Sequence, residues 1–334
     1  MSDALPSSSA TLGDSMPIAP EAISRGDDSH DVSSVGGASP ASSLDAPPVG
    51  EPCPAPLVWQ DVRAAYRSES IAWELSNGSH RLVGRTWGQG RPLYLLNGFA
   101  ATAEMSALML WLLREEFRCV VFDTFEDGTS RKTKPTMSDF TSDVLAVADH
   151  HNDSTLNVFG ASFGAAVALQ TALESPSRIE GLVLQHGFAQ RRLSLFERML
   201  AAWCRRSRRV LSQFPWRRHI QELNHRRWFP PFDGTRFEFL VESTGSIPLP
   251  DLARKALAVN SFDISSRLGE ITCPVLLLRT EGEGGLEARS HAQLELGLKG
   301  SRTEWMHSSG LHPSLTHPHR LVKLIKSFFS SETK

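Results

Sequence analysis

Ser162 is the residue in this 334-residue chain whose setting best suits attack on a carbonyl carbon. It lies in Leu156-Asn157-Val158-Phe159-Gly160-Ala161-Ser162-Phe163-Gly164-Ala165-Ala166, an apolar run followed by a helix-forming one, so the serine falls where a strand turns into a helix. A turn that tight crowds the positions two before and two after the serine, and Gly160 and Gly164 leave room there. The first free N–H of the following helix, that of Phe163, would face negative charge developing on the attacked oxygen. The alternative is a glycine-rich turn with an idle serine. A second N–H could come from Leu95-Leu96-Asn97-Gly98-Phe99-Ala100, where an apolar run ends in Asn-Gly and the donor would be Phe99. That stretch can also be an ordinary turn.

A serine nucleophile also needs a base and a group that orients the base, in the chain order serine, acid, histidine. His312, in Ser308-Ser309-Gly310-Leu311-His312-Pro313, follows the last strand-like run and is the best base. His307, His317 and His319 lie nearby and read as surface or capping residues. The loop Arg279-Thr280-Glu281-Gly282-Glu283-Gly284-Gly285 offers two acids; spacing favours Glu283, with Glu281 as the alternative, and either could be a solvated loop charge.

The elements that must position these residues alternate. Strand patterns cover 71–75, 81–87, 92–96, 118–122, 155–159, 181–184, 274–278 and 303–306, the first two joined by the turn Ser76-Asn77-Gly78-Ser79. Helix patterns cover 102–116, 138–150, 163–173, 287–298 and 321–329. Runs that are apolar on both faces suit central parallel strands covered by helices. The expected class is α/β, a mostly parallel sheet with helices on both faces. Residues 188–266 interrupt the alternation with helical patterns and no convincing strand, and read as a helical cap. The core would then be 56–187 and 267–334.

Composition bounds the rest. Residues 1–55 are rich in Ser, Ala, Pro and Gly and carry eight acidic residues against Arg25 alone, a net charge of −7. Such a segment buries too little apolar surface to offset its ordering entropy and reads as a disordered acidic tail. With a total of −2, the remainder is mildly basic. No secretory leader pattern and no apolar run of about 18 residues is seen. The four cysteines, Cys53, Cys119, Cys204 and Cys273, lack metal-ligand or paired spacing. The expectation is a cytoplasmic protein without disulfides, metal or organic cofactor.

From about residue 69 to 330 the chain resembles the α/β-hydrolase superfamily, in the branch with a helical cap between the sixth and seventh strands. The motifs that carry the likeness are the strand with Asn97-Gly98, Val120-Val121-Phe122-Asp123, the Ser162 turn, Ser175-Pro176-Ser177-Arg178-Ile179-Glu180-Gly181-Leu182-Val183-Leu184, Ile271-Thr272-Cys273-Pro274-Val275-Leu276-Leu277-Leu278, and the stretch from His312 to His317-Pro318. The resemblance implies a hydrolase with Ser162, His312 and Glu283 as triad and an oxyanion hole from Phe99 and Phe163, acting on an ester, thioester or related small carbonyl substrate. Three departures stand out: Asn97 where the family usually has histidine, glutamates where it has aspartate, and a histidine one residue nearer the following proline. A narrower likeness, in Val158–Gly164 and the insert, is to maspardin, a member regarded as a binding protein; it keeps a non-catalytic binding role, using the cap, as the alternative.

Within the cap, residues 191–227 hold eleven arginines against Glu197 and Glu222, a net charge of +9. Apolar residues recur there at helical spacing, from Leu193 to Phe214. An anionic membrane surface, an acidic partner and an anionic substrate are the functional readings; an ordinary solvated cap face is the plain one. Nucleic acid is not expected, since the tryptophans suit a lid core and no nucleic-acid motif appears.

Overall fold

The computed structural model describes residues 58–126, 134–231, 233–282 and 284–331. The proposed acidic tail, 1–55, and Glu283 lie outside the described residues. Helix α1 (Trp59–Glu69) leads into the hairpin β1 (Ile71–Asn77) and β2 (His80–Trp87), closed by a two-residue turn in which Asn77 pairs with His80 and Gly78 takes φ +60°. Then follow β3 (Arg91–Leu96), α2 (Ala107–Leu113), β4 (Phe117–Glu126), α3 (Met137–His150), β5 (Leu156–Ala161), α4 (Phe163–Glu174) and β6 (Ile179–Gln185). Four helices come next: α5 (Leu195–Cys204), α6 (Arg217–His225), α7 (Gly234–Gly245) and α8 (Leu249–Val259). The chain closes with β7 (Val275–Thr280), α9 (Gly285–Gly297), β8 (Arg302–Met306), α10 (Pro313–Thr316) and α11 (Pro318–Ser331).

The eight strands form one sheet in the order β1-β2-β4-β3-β5-β6-β7-β8. β1, β2 and β4 pair antiparallel and every later neighbour is parallel, as runs buried on both faces require. Strand alternation sends Leu93 and Leu95 to one face, with α1, α2 and α11, and Tyr94 and Leu96 to the other, with α3 and α4. A smaller apolar cluster of Ala201, Cys204, Leu249 and Ala253 joins α5 to α8. Cys119, Cys204 and Cys273 are free thiols. Among the described residues no helix is long and apolar enough to cross a membrane.

Two local differences from the sequence reading have physical causes. The helix expected over 102–116 is a 3₁₀ turn at Ala103–Ser106 followed by the short α2. It opens where the Ala103 N–H bonds the Asp123 carboxylate, and beyond its end the Arg114 carbonyl accepts from Gln89 N–H at 3.2 Å. Helix α1 was not anticipated: it buries just Trp59, Val62 and Tyr66, and Val58 at its start supplies no side-chain cap.

Candidate active site

The turn between β5 and α4 holds Ser162 at φ 50°, ψ −106°, a conformation uncommon for a residue with a Cβ. Packing enforces it. A Cβ on Gly164 would stand 2.0 Å from the Leu96 carbonyl oxygen, and one on Gly160 2.7 Å from the Ala165 Cα, so α4 can press against β3 and against the end of β5 only with glycine at these positions. The Ser162 N–H donates to the Gln185 carbonyl at 2.7 Å, tying the turn to the end of β6. Phe163 begins α4, so its N–H is among the orphan donors of that helix end.

The Asn97–Ala101 loop lies alongside. Gly98 borders Ser162, and Phe99 meets Phe163 edge to face at 6.5 Å. The loop is held from two sides that sequence reasoning missed. Lys255 of α8 donates Nζ–H bonds to the Gly98 and Phe99 carbonyls at 3.3 and 3.2 Å. Asp123, within β4, accepts the Ala103 N–H on both oxygens, at 3.1 and 3.0 Å. Burial pushes the Asp123 pKa up, while the Ala103 N–H and Lys255 pull it down; burial pushes Lys255 down, and Asp123 opposes that shift. Asn97 Oδ1 accepts from Ser106 at 3.0 Å, and its buried Nδ2 has no partner among the described residues.

His312 stands at the start of α10, its carbonyl accepting the N–H groups of Leu315 and Thr316. Gln185 Nε2 donates to the Leu311 carbonyl at 3.2 Å and anchors the loop beside Ser162. The His312 ring meets that of His225 from α6 edge to face at 4.8 Å. Burial first, then the neighbouring His225 and His186, push its pKa down to about 3, so the ring is neutral at pH 7. His186, also unnoticed in the sequence, bonds Thr280 Oγ1 at 2.6 Å and is driven down to about 4, mainly by burial. His186, His225 and His312 line one cavity with Ser162, yet no metal-ligating cluster forms among the described residues.

Glu281 turns away from His312. Its carboxylate accepts the Ser308 N–H at 2.9 Å and pairs with His307 Nδ1 at 3.1 Å, contacts that lower its pKa. Among the described residues no carboxylate bonds His312 and no hydrogen bond joins it to Ser162.

Two cavities open at Ser162. One, of about 280 Å³, is lined by Asn97, Gln185, His186, His225 and His312. The other, of about 430 Å³, is apolar, walled by Phe188, Leu200, Phe214, Leu252 and Val259 from the segment between β6 and β7. Phe99 and Ser162 line both, so a molecule could place a reacting carbonyl at the serine with one part in each chamber.

Known proteins share this framework. A family model for the alpha/beta hydrolase fold matches residues 91–227. A putative carbamate hydrolase, RutD, of Agrobacterium fabrum is 25% identical over 214 residues, covering 60% of this chain and 78% of that protein. A hydrolase from Pseudomonas aeruginosa superposes with a TM-score of 0.65 at 20% identity, covering 77% of this chain and 98% of that one. The enol-lactonase of Burkholderia xenovorans does so with a TM-score of 0.65 at 16% identity, over 77% of this chain and 100% of that one. Carboxylesterase CesB of Bacillus subtilis gives 0.60 at 18% identity, over 81% and 95%. Sheet order, the glycine-flanked serine turn and these matches agree, and the chain has the α/β-hydrolase fold.

Proposed function

We propose that the protein is a serine hydrolase of an ester, thioester or related carbonyl compound. The observation that carries the proposal is the strained Ser162 at the meeting point of both cavities; the N–H groups of Phe99 and Phe163 are assigned as its oxyanion donors. Ser162 Oγ attacks the carbonyl carbon while His312 takes its proton. The oxyanion that forms is stabilised by the two backbone donors, a contribution worth roughly 3 kcal/mol per donor in comparable sites. Collapse expels the leaving group, which takes the proton from His312, and water then attacks the acyl-enzyme by the same route. Glu283 is assigned as the group that orients the His312 ring. The apolar chamber suits a hydrocarbon acyl group, and the chamber lined by histidines and Gln185 suits the more polar leaving group. Relatives that act on carbamates, enol-lactones and carboxylic esters support a carbonyl substrate.

A second reading, a binding protein that keeps the fold without turnover, is favoured by one observation. His312 has no carboxylate partner among the described residues, and its environment makes it a weak base. A fluorophosphonate probe separates the two. On the hydrolase reading the probe modifies Ser162, and His312→Ala slows the labelling by about two orders of magnitude or more. Folded wild-type protein that stays unlabelled after prolonged exposure would leave the binding reading standing.

A further inference from the structure

A helix that merely roofs a cavity needs one apolar face, turned inward. Helices α5 and α6 have apolar residues on the outer side as well. Leu200, Ala201 and Cys204 of α5 line the apolar chamber, and Gln221 and His225 of α6 line the other. The outward stripe of α5 is Phe196, Met199 and Trp203, spaced three and four residues apart and 74%, 65% and 56% exposed. That of α6 is Ile220 and Leu223, preceded by Trp216, which is 78% exposed and held at φ 62°, a conformation a bulky aromatic residue adopts only at a cost. Side chains this large are depleted from solvated surfaces unless something covers them.

What covers them is indicated by the charge around the stripes. Arg192, Arg198, Arg208 and Arg209 are exposed and form no ion pair among the described residues. They belong to a segment with a net charge of +9, so a second copy presenting the same face would be repelled. A soluble acidic chain would match the arginines but would not account for two stripes of large aliphatic and aromatic residues. A layer of anionic headgroups above hydrocarbon matches both at once.

We propose that the outer faces of α5 and α6 dock this protein on anionic phospholipid surfaces, with Phe196, Met199, Trp203 and Trp216 entering the headgroup–acyl boundary and the arginines holding the headgroups. Because the same two helices wall the cavities, docking places the chamber mouths beside the lipid. The inference concerns attachment, and it stands whether or not Ser162 turns over a substrate.

The test is sedimentation of the full chain with vesicles of phosphatidylcholine containing 30% phosphatidylserine, against vesicles of phosphatidylcholine alone. Wild type and Ser162→Ala are expected to sediment equally with the anionic vesicles, with tryptophan emission shifting to the blue, and to stay in solution with the neutral ones. Phe196→Ser/Trp203→Ser and Arg192→Glu/Arg198→Glu should each bind about tenfold or more weakly, while keeping wild-type circular dichroism and thermal midpoints, since these side chains are exposed. Failure of the wild type to sediment with anionic vesicles overturns the proposal. So does binding that the Phe196/Trp203 change leaves intact, and so does capture by poly-L-glutamate without vesicle binding, which would assign the patch to an acidic partner.

Discussion

Ser162 reacts, on the proposed reading, because its neighbours are small enough to let it stand clear of the sheet. The clearest measure is Gly164, whose missing Cβ leaves space for the Leu96 carbonyl group: an added Cβ would lie 2.0 Å from its oxygen and 2.5 Å from its carbon. Both atoms are backbone of a central strand, so neither can swing aside as a flexible side chain would. Gly164→Ala must therefore move β3 away from α4, at a cost of about 1–3 kcal/mol for overpacking. The Asn97–Ala101 loop, which continues β3, moves with it. The expected outcome is a lower urea midpoint together with slower fluorophosphonate labelling of Ser162. A variant with wild-type midpoint and labelling rate would show that the turn is not under this constraint.

At the scale of elements, α8 links the segment between β6 and β7 to α3 and to the loop after β3. Arg254 is buried against Asp143 of α3 at 3.3 Å, and the next residue, Lys255, holds the Gly98 and Phe99 carbonyls. A rigid helix thus positions the loop that, on the serine-hydrolase reading, offers the Phe99 N–H. Lys255→Met keeps most of the side-chain volume and removes those bonds. On the serine-hydrolase reading it should lower kcat by roughly ten- to a hundredfold, with little change in KM and a nearly unchanged unfolding midpoint. A purely structural lysine would lower the midpoint and leave kcat of the folded fraction alone. None of this was legible in the sequence, because Lys255 and Phe99 are far apart in the chain and neither carries a local signal of the other. The central strands were legible for the opposite reason: β3, β5 and β7 are local apolar runs whose pattern states their burial. The loop acids were an intermediate case. Glu281 was visible as a candidate, but its partner followed only from register. β7 and β8 run parallel with Thr280 opposite Met306, so the next residues along, Glu281 and His307, meet each other, and His312 is left five residues further on.

At the scale of the whole molecule, three histidines on different elements couple stability to pH. Burial drives His186 and His291 down to about 4 and His312 to about 3, from an ordinary value of 6.5, so all three are neutral in the folded chain at pH 7. The unfolded chain protonates each near 6.5. Between 6.5 and about 4 it therefore binds more protons than the folded chain does, and stability falls as pH falls. Above 6.5 both states hold these rings neutral, and stability should not respond to them. At pH 5 each of these enclosed rings contributes a loss on the order of 1–2 kcal/mol, less for the partly exposed His186 and His312 than for the buried His291. Thermal midpoints measured from pH 8 to 4.5 should be level above about 7 and then decline. His291→Gln should decline less steeply, because His291 is almost fully enclosed and its removal takes one of the three protonation sites away. A midpoint that stayed level to pH 5, or rose as the pH fell, would mean that the rings are charged in the folded protein. In that case a carboxylate must face at least one of them, and for His312 the residue to test is Glu283.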